Sequence, residues 1–230
     1  MIFPIGDDQV HGVQKAYFSY FILLLNILVF GYELSLNMED LGQFTSDYGA
    51  VPAEMLHAQD LYSVVTSLFL HGGWAHILGN MLFLWVFADN IEATLGSIRF
   101  ILFYLFGGIA ATLFHALMFP ASEIPLIGAS GAISAVLGAY LVLYPKSRIR
   151  VLVIFLFTSF RVPALLFLGL WIVIQFFQGY GSLGAVTNEE SGVAYWAHIG
   201  GFVFGLIVGF AARRQEIPQL VGHDEEHGYV

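Results

Sequence analysis

The sequence predicts an all-α membrane protein, a bundle of six transmembrane helices with both termini on the inner side. Composition is the first observation: 58% of the 230 residues are hydrophobic and only 11% are charged, with a mean hydropathy of +0.77. A soluble domain carries about 25% charged residues, which excludes an ordinary water-soluble fold. The second is a set of six apolar runs, which at about 20 residues each would use roughly 120 residues and leave room for loops. The third is the placement of the basic residues, all of which fall on one side of a six-span arrangement.

The runs lie at Ala16–Glu33, Ala75–Asp89, Phe100–Met118, Ala129–Tyr144, Val151–Phe177 and Val193–Ala212. The fifth is too long for one span, and Arg161, Val162 and Pro163 interrupt it. Proline is welcome in the first turn of a helix, so the fifth span is expected to start near Pro163. Val151–Phe160 is then expected to be an interfacial or re-entrant segment. Lys15 precedes span one and Arg99 opens span three. Lys146, Arg148, Arg150 and Arg161 lie between spans four and five, and Arg213 and Arg214 follow span six. The three opposite loops, about 34–74, 119–128 and 179–192, contain no Lys or Arg.

In the first outer loop, Leu61, Val64, Val65 and Leu68 follow helical spacing, which predicts an amphipathic segment in the outer interface. Trp74, Tyr144, Tyr195 and Trp196 lie near span ends and read as belt residues. A six-span domain over 1–212 and a solvated acidic and His-containing tail over 213–230 are the expected divisions. No cleavable signal peptide is expected, because the first apolar run follows a polar, acidic start.

Without cysteine there is no disulfide, thiol nucleophile or cysteine metal site. A net charge of −9 gives no basic footprint for nucleic acid. The eight His residues lack the HExxH pairing of a zinc protease, so neither a metal nor a cofactor is expected.

Topology then sets the depth of the remaining polar groups. Span four enters from outside, placing Ser130 about one turn below its outer end. Span six does the same, with His198 about five residues in. In span two, His76 and Asn80 share a helical face one turn apart. Four polar side chains from three helices thus converge in the outer third of the bilayer, where ionisable groups are costly and are functional candidates by default. Gly201, Gly205 and Gly209 recur every four residues below His198, and span four offers Gly131, Ser134, Ala135 and Gly138. Such surfaces let two backbones approach closely, bringing Ser130 Oγ within reach of His198 as a nucleophile and base require.

Each residue alone has a plainer reading. A serine in a membrane helix is usually packing glue or bonded to its own backbone. His198 and Asn80 could be satisfied interhelical partners. His71 reads as structural, His115 as interfacial, and Glu92 as bonded to loop backbone or paired with Arg99. The combination is what carries weight.

Gly128-Ala129-Ser130-Gly131 opening a span, His76-Ile77-Leu78-Gly79-Asn80 in span two and Ala197-His198-Ile199-Gly200-Gly201 in span six resemble the rhomboid family of intramembrane serine proteases. The resemblance runs from about His71 to Gly209. It implies Ser130 as nucleophile, His198 as its base, and His76, Asn80 and the Ser130 backbone N–H as holders of the oxyanion. Two places depart from the family pattern: Ser134 stands where relatives often carry an aromatic against the catalytic His, and Tyr62-Ser63 where some carry Trp-Arg.

The residue chemistry agrees. A serine–histidine pair performs acyl transfer, and a neutral His and an Asn amide can donate to the developing oxyanion. No acid is placed to complete a triad. Asp89 lies 13 residues beyond His76, about 20 Å lower at 1.5 Å per residue. A dyad is expected. The expected activity is cleavage of single-span membrane proteins near the outer face of the cell membrane, with the site open to the extracytoplasmic side. Alternatives are a catalytically silent rhomboid-like binder of transmembrane segments, and a transporter or channel using His76, His115 and His198. Continuing inward from those three, only Asp89 and Glu92 are comparably polar, which argues against a through-pathway.

Overall fold

The computed structural model describes residues 2–10, 16–153, 155, 158–183, 193–213 and 220–221. The C-terminal tail beyond Val221, the loop 184–192, Lys15 and Arg214 lie outside the described residues.

In chain order the elements are β1 (Ile2–Gly6), β2 (Gln9–Val10), α1 (Tyr17–Glu33), α2 (Met38–Tyr48), α3 (Pro52–Leu56), α4 (Ser63–Thr66), α5 (Trp74–Leu95) and α6 (Ser97–Met118). They continue with α7 (Ser130–Leu143), β3 (Arg148–Val153), β4 (Thr158–Pro163), α8 (Ala164–Ser182), α9 (Tyr195–Ala212) and β5 (Leu220–Val221). Each of the six long helices falls on one of the predicted runs. By length and composition α6, α8 and α9 can each cross a membrane, and α1 and α7 are shorter apolar helices. Pro163 stands immediately before α8, in keeping with its missing N–H and fixed φ.

Helix α7 is the axis of the bundle. All of its residues except Ser130 and Leu141 are buried. Its 14 residues span only about 21 Å at 1.5 Å per residue, less than a hydrocarbon core of about 30 Å. Helix α9 meets it backbone to backbone. A Cβ added at Gly205 would overlap the Ala135 carbonyl, one at Gly201 the Gly131 carbonyl, and one at Gly138 the Phe202 carbonyl. The other face of α7 packs Val136, Leu137 and Tyr140 into a core with Leu84, Phe87 and Ile91 of α5. The outward surfaces of α1 and α8 are apolar and exposed, as at Phe21, Leu24, Leu166 and Leu170.

Carboxylates tie both ends of α1 into the bundle, Glu92 of α5 at its start and its own Glu33 at its end. Glu92, only 1% exposed, accepts the backbone N–H groups of Phe18 (3.0 Å) and Ser19 (2.7 Å) and the Ser97 hydroxyl (2.7 Å). It therefore satisfies donors that the first turn of α1 leaves without partners. Its backbone partner lies on α1 rather than in its own loop, and the expected pairing with Arg99 is replaced by this cap. At the other end, Glu33 accepts the His71 N–H at 3.1 and 3.2 Å.

One segment departs from the sequence expectation. Within the stretch expected to be interfacial or re-entrant, residues 151–153 and 158–160 belong to two paired strands. β3 and β4 pair antiparallel from Arg148↔Pro163 to Val153↔Thr158, and β1 adds on β3 through Ile2↔Val153 and Pro4↔Val151. The cause is a period of two: Ile149 and Val151 are buried whereas Arg148 and Arg150 are exposed. β2 pairs with β5, so N-terminal and C-terminal segments meet at the end of the bundle opposite Ser130.

The amphipathic segment of the first long loop is only partly as expected. Val64 and Leu68 are buried, but Leu61 and Val65 are exposed. Val64 packs with Ala50, Met55 and Ala116 in a second small core, since short helices set against α6 bury more than a surface-lying one. Tyr62 donates its hydroxyl to the Asp47 carbonyl (3.0 Å), and Thr66 to that of Tyr48 (2.7 Å). Of the expected belt residues, Trp74 is exposed, but Tyr144 and Trp196 are buried. Trp196 donates its indole N–H to the Gly179 carbonyl at 3.0 Å, which ties α9 to α8.

Asp7 pins the N-terminal segment beneath the bundle. It accepts from the Tyr140 hydroxyl and from Asn90 Nδ2 (2.7 Å), while Asp8 accepts the Arg148 N–H at 2.9 Å. Burial pushes the Asp7 carboxyl well above the usual carboxylate range, with the charges of Asp89 and Asp8 adding to it and the hydrogen bonds opposing it. A native pKa above the unfolded one means that this contact contributes fully below the unfolded value of about 3.9 and weakens as pH rises through the native one. Amide exchange over residues 2–10 should therefore accelerate with alkalinity beyond the intrinsic rate increase. Asp7→Asn should remove that excess. Gly205→Ala should destabilise the bundle by about 1–3 kcal/mol, read by thermal unfolding in micelles. Gly169→Ala, where a Cβ meets open space, should not.

Candidate active site

Ser130 is the first residue of α7, not one turn within it. Gly128 has φ +119°, a conformation open to glycine and costly for other residues, so the chain enters the helix by a sharp turn just above the serine. Helix start and serine are thereby sunk together. The first N–H groups of α7 have no intrahelical acceptor and carry the positive end of its dipole. The Ser130 N–H is among them.

His198 lies in the first turn of α9. Its Nε2 is 2.8 Å from Ser130 Oγ, so the two expected reactive groups do touch. Gly201 makes this possible by bringing the α9 backbone onto the Gly131 carbonyl of α7 beside them. Both helices start close to the site, so the contact is made at the mouth of the bundle rather than in its middle.

The second ring nitrogen reveals a residue that sequence reading missed. His198 Nδ1 is 2.8 Å from Gln175 Oε1 on α8. Trp171, one turn earlier on α8, lies against the same imidazole, with ring centroids 5.8 Å apart at 32°. The aromatic expected from the position of Ser134 is thus supplied by a different helix. Ser134 itself donates to the Ser130 carbonyl at 2.6 Å, and the close approach of Gly201 fills the space beside it. A signal for Gln175 was present: Trp171 and Gln175 are four apart in a largely apolar span, hence on one face.

On the opposite wall, His76 and Asn80 line the same cavity as Ser130 and His198. A Cβ on Gly128 would come within 2.5 Å of His76 Nε2, so this glycine also makes room for the imidazole. Asn80 donates through Nδ2 to His71 Nε2 at 2.9 Å, while His71 Nδ1 faces the Phe69 carbonyl at 3.3 Å. This pattern requires a neutral His71 protonated on Nδ1. Burial, reinforced by His76 alongside, pushes the His71 pKa down to about 4, with the Phe69 bond opposing. His71 is therefore neutral at ordinary pH and holds the Asn80 amide in place. With Glu33 on its backbone N–H, it joins α1 to the site.

The cavity measures about 730 Å³. His115 also lines it. Its Nδ1 is buried and has no hydrogen-bond partner among the described residues. A serine hydroxyl against an oriented imidazole, beside amide and imidazole donors and a free helix N-terminus, is an arrangement suited to acyl transfer.

A helical membrane bundle holding a serine–histidine contact in a cavity shared with His76, Asn80 and His115 defines the structural class. A family model described as the Rhomboid domain matches residues 58–215, and the chain belongs to the rhomboid family, as a multi-pass membrane protein. It is 30% identical over 200 residues to "Rhomboid protein 1, mitochondrial" of Saccharomyces cerevisiae, covering 83% of this chain and 52% of that protein. It is 31% identical over 206 residues to "Rhomboid protease GluP" of Bacillus subtilis, covering 89% of this chain and 36% of the relative. "RHOMBOID-like protein 5" of Arabidopsis thaliana is 29% identical over 162 residues, covering 70% and 47%. The chain thus spans about half or less of the length of these relatives.

Gly128→Ala should displace His76 and strain the turn, lowering stability by about 1–3 kcal/mol. Gly79→Ala, in open space on α5, is the control. Thermal unfolding of both in micelles tests the pair.

Proposed function

We propose that this chain is an intramembrane serine endopeptidase that cleaves transmembrane segments of membrane proteins. The observation that carries this reading is the 2.8 Å contact between Ser130 Oγ and His198 Nε2, and the rhomboid family membership supports it. Ser130 Oγ attacks a peptide carbonyl carbon as His198 Nε2 takes its proton. Negative charge develops on the carbonyl oxygen, stabilised by His76, Asn80 and the Ser130 backbone N–H. The carbon–nitrogen bond breaks as His198 returns the proton to the leaving amine. Water then attacks the acyl-enzyme, giving its proton to His198, and the carbon–oxygen bond to Ser130 breaks to release the acid and restore the serine.

In this reading the chain has six spans with both termini inside, as the one-sided basic residues support, and the cavity opens toward the extracytoplasmic face of the cell membrane, where water can reach it. A bilayer-embedded peptide keeps its backbone bonds inside a helix. The substrates are therefore single-span proteins whose outer helix end unwinds readily. Domain limits of 1–212 for the catalytic bundle and 213–230 for the tail belong to the same proposal.

Labelling by a serine-directed fluorophosphonate in micelles tests it. Wild type should label at Ser130. Ser130→Ala should abolish labelling, and His198→Ala should slow it by at least about 10³-fold, with both proteins still folded. Labelling that ignores both substitutions overturns the reading.

A further inference from the structure

We propose that Gln175 is a positioning residue for His198: its side-chain oxygen selects the imidazole tautomer that turns a lone pair toward Ser130. The inference rests on Ser130 and His198 being nucleophile and base, and it adds an uncharged third member contributed by α8.

A neutral imidazole has one donor nitrogen and one acceptor nitrogen, and the partner of one sets the role of the other. A carboxamide oxygen only accepts. Facing Nδ1 at 2.8 Å, it requires the ring proton there and leaves Nε2 to accept from the Ser130 hydroxyl at 2.8 Å. The opposite tautomer would set an N–H against a hydroxyl that must give up its proton, and would leave the Gln175 oxygen without a donor. In a site where both residues are 9% exposed, an unpaired acceptor is costly. The ring is held in its plane as well as in its protonation, because Trp171 lies on it and packs in turn against Phe202.

The location of the amide strengthens the assignment. Helix α8 is apolar around its outward surface, with Leu170, Val173, Ile174 and Phe177 exposed, and a glutamine in such a helix has a desolvation cost to offset. Its two glutamines are treated differently: Gln178, near the outer end, is exposed, whereas Gln175 is buried and aimed at the imidazole. A carboxylate there would bury a permanent negative charge in apolar surroundings. A carboxamide orients the base without one.

The full chain in micelles provides the test, with Gln175→Met, Gln175→Glu and Gln178→Met compared to wild type. Met keeps the volume and removes the acceptor, Glu keeps an acceptor, and Gln178→Met controls for a polarity change on the same helix. Two quantities are read. One is fluorophosphonate labelling, resolved into its maximal rate and its half-saturating concentration. The other is the ¹⁵N spectrum of labelled histidine, with the His198 signals identified by their loss in His198→Ala. In wild type the spectrum should show Nδ1 protonated and Nε2 unprotonated. Gln175→Met should mix the tautomers and lower the maximal rate by about 10- to 100-fold, a milder loss than the roughly 10⁴-fold of a wrong tautomer in a serine-protease triad. Its half-saturating concentration should be unchanged. Gln175→Glu, at a pH where its carboxyl is ionised, keeps an acceptor against Nδ1 and should retain Nδ1 protonation, while the buried charge lowers thermal stability. Gln178→Met should match wild type.

A Gln175→Met protein with wild-type rate and tautomer overturns the proposal, as does a wild-type spectrum with the proton on Nε2. Should the Met variant fail to fold, the Glu variant decides at a pH where its carboxyl is ionised: retained Nδ1 protonation supports the role, and a proton moved to Nε2 refutes it. If wild type does not label at Ser130, the nucleophile assignment fails, while the spectrum still reports whether Gln175 sets the ring.

Discussion

Everything about the site depends on how closely α7 and α9 approach. A hydroxyl and an imidazole carried on separate helices can meet at 2.8 Å only if the helix axes are nearer than ordinary side chains permit. Glycine supplies that nearness at Gly138, Gly201 and Gly205, where a single added carbon would strike the facing helix. In a bilayer there is little hydrophobic force to press helices together, because lipid tails are as apolar as the side chains. Dispersion across a large backbone contact is what remains, and it demands small residues. The same residues that hold the bundle together therefore set the geometry of the Ser130–His198 pair.

The polar groups around this contact form short chains that lead outward to structural elements. Gln175 connects His198 to α8. His71 connects Asn80 to the loop before α5 and, through Glu33, to the end of α1. Glu92 serves the opposite end of α1. In surroundings this apolar, each buried acceptor needs a donor, so satisfying the polar groups and orienting them are one requirement. The hydrogen-bond partners of His198 and Asn80 are uncharged side chains, which limits the penalty of burying polar groups in apolar surroundings.

The opposite end of the molecule is built differently. A three-stranded sheet brings Ile2–Gly6 against the hairpin between α7 and α8, and Asp7 reaches Tyr140 and Asn90 in the bundle. This end couples the N-terminal segment to the base of α7, the helix whose other end carries Ser130. The hairpin was open to sequence reading through the alternation Arg148-Ile149-Arg150-Val151. A long apolar run in a membrane protein masks that signal, because periodicity cannot separate a short buried strand from part of a helix.

By itself the sequence determined the long helices, the proline that starts α8, and the serine and histidine that meet. It could do so because amphipathic and apolar periods, glycine faces and local motifs act over a few residues. Which partner reaches across to each polar atom was decided only by tertiary structure. Gln175 and Trp171 bear on His198 from 23 and 27 positions away, His71 turns back to hold Asn80, and His115 lines the cavity. Helix rotation and crossing angle set those pairings, and both emerge from the packing of whole surfaces rather than from spacing along one chain segment.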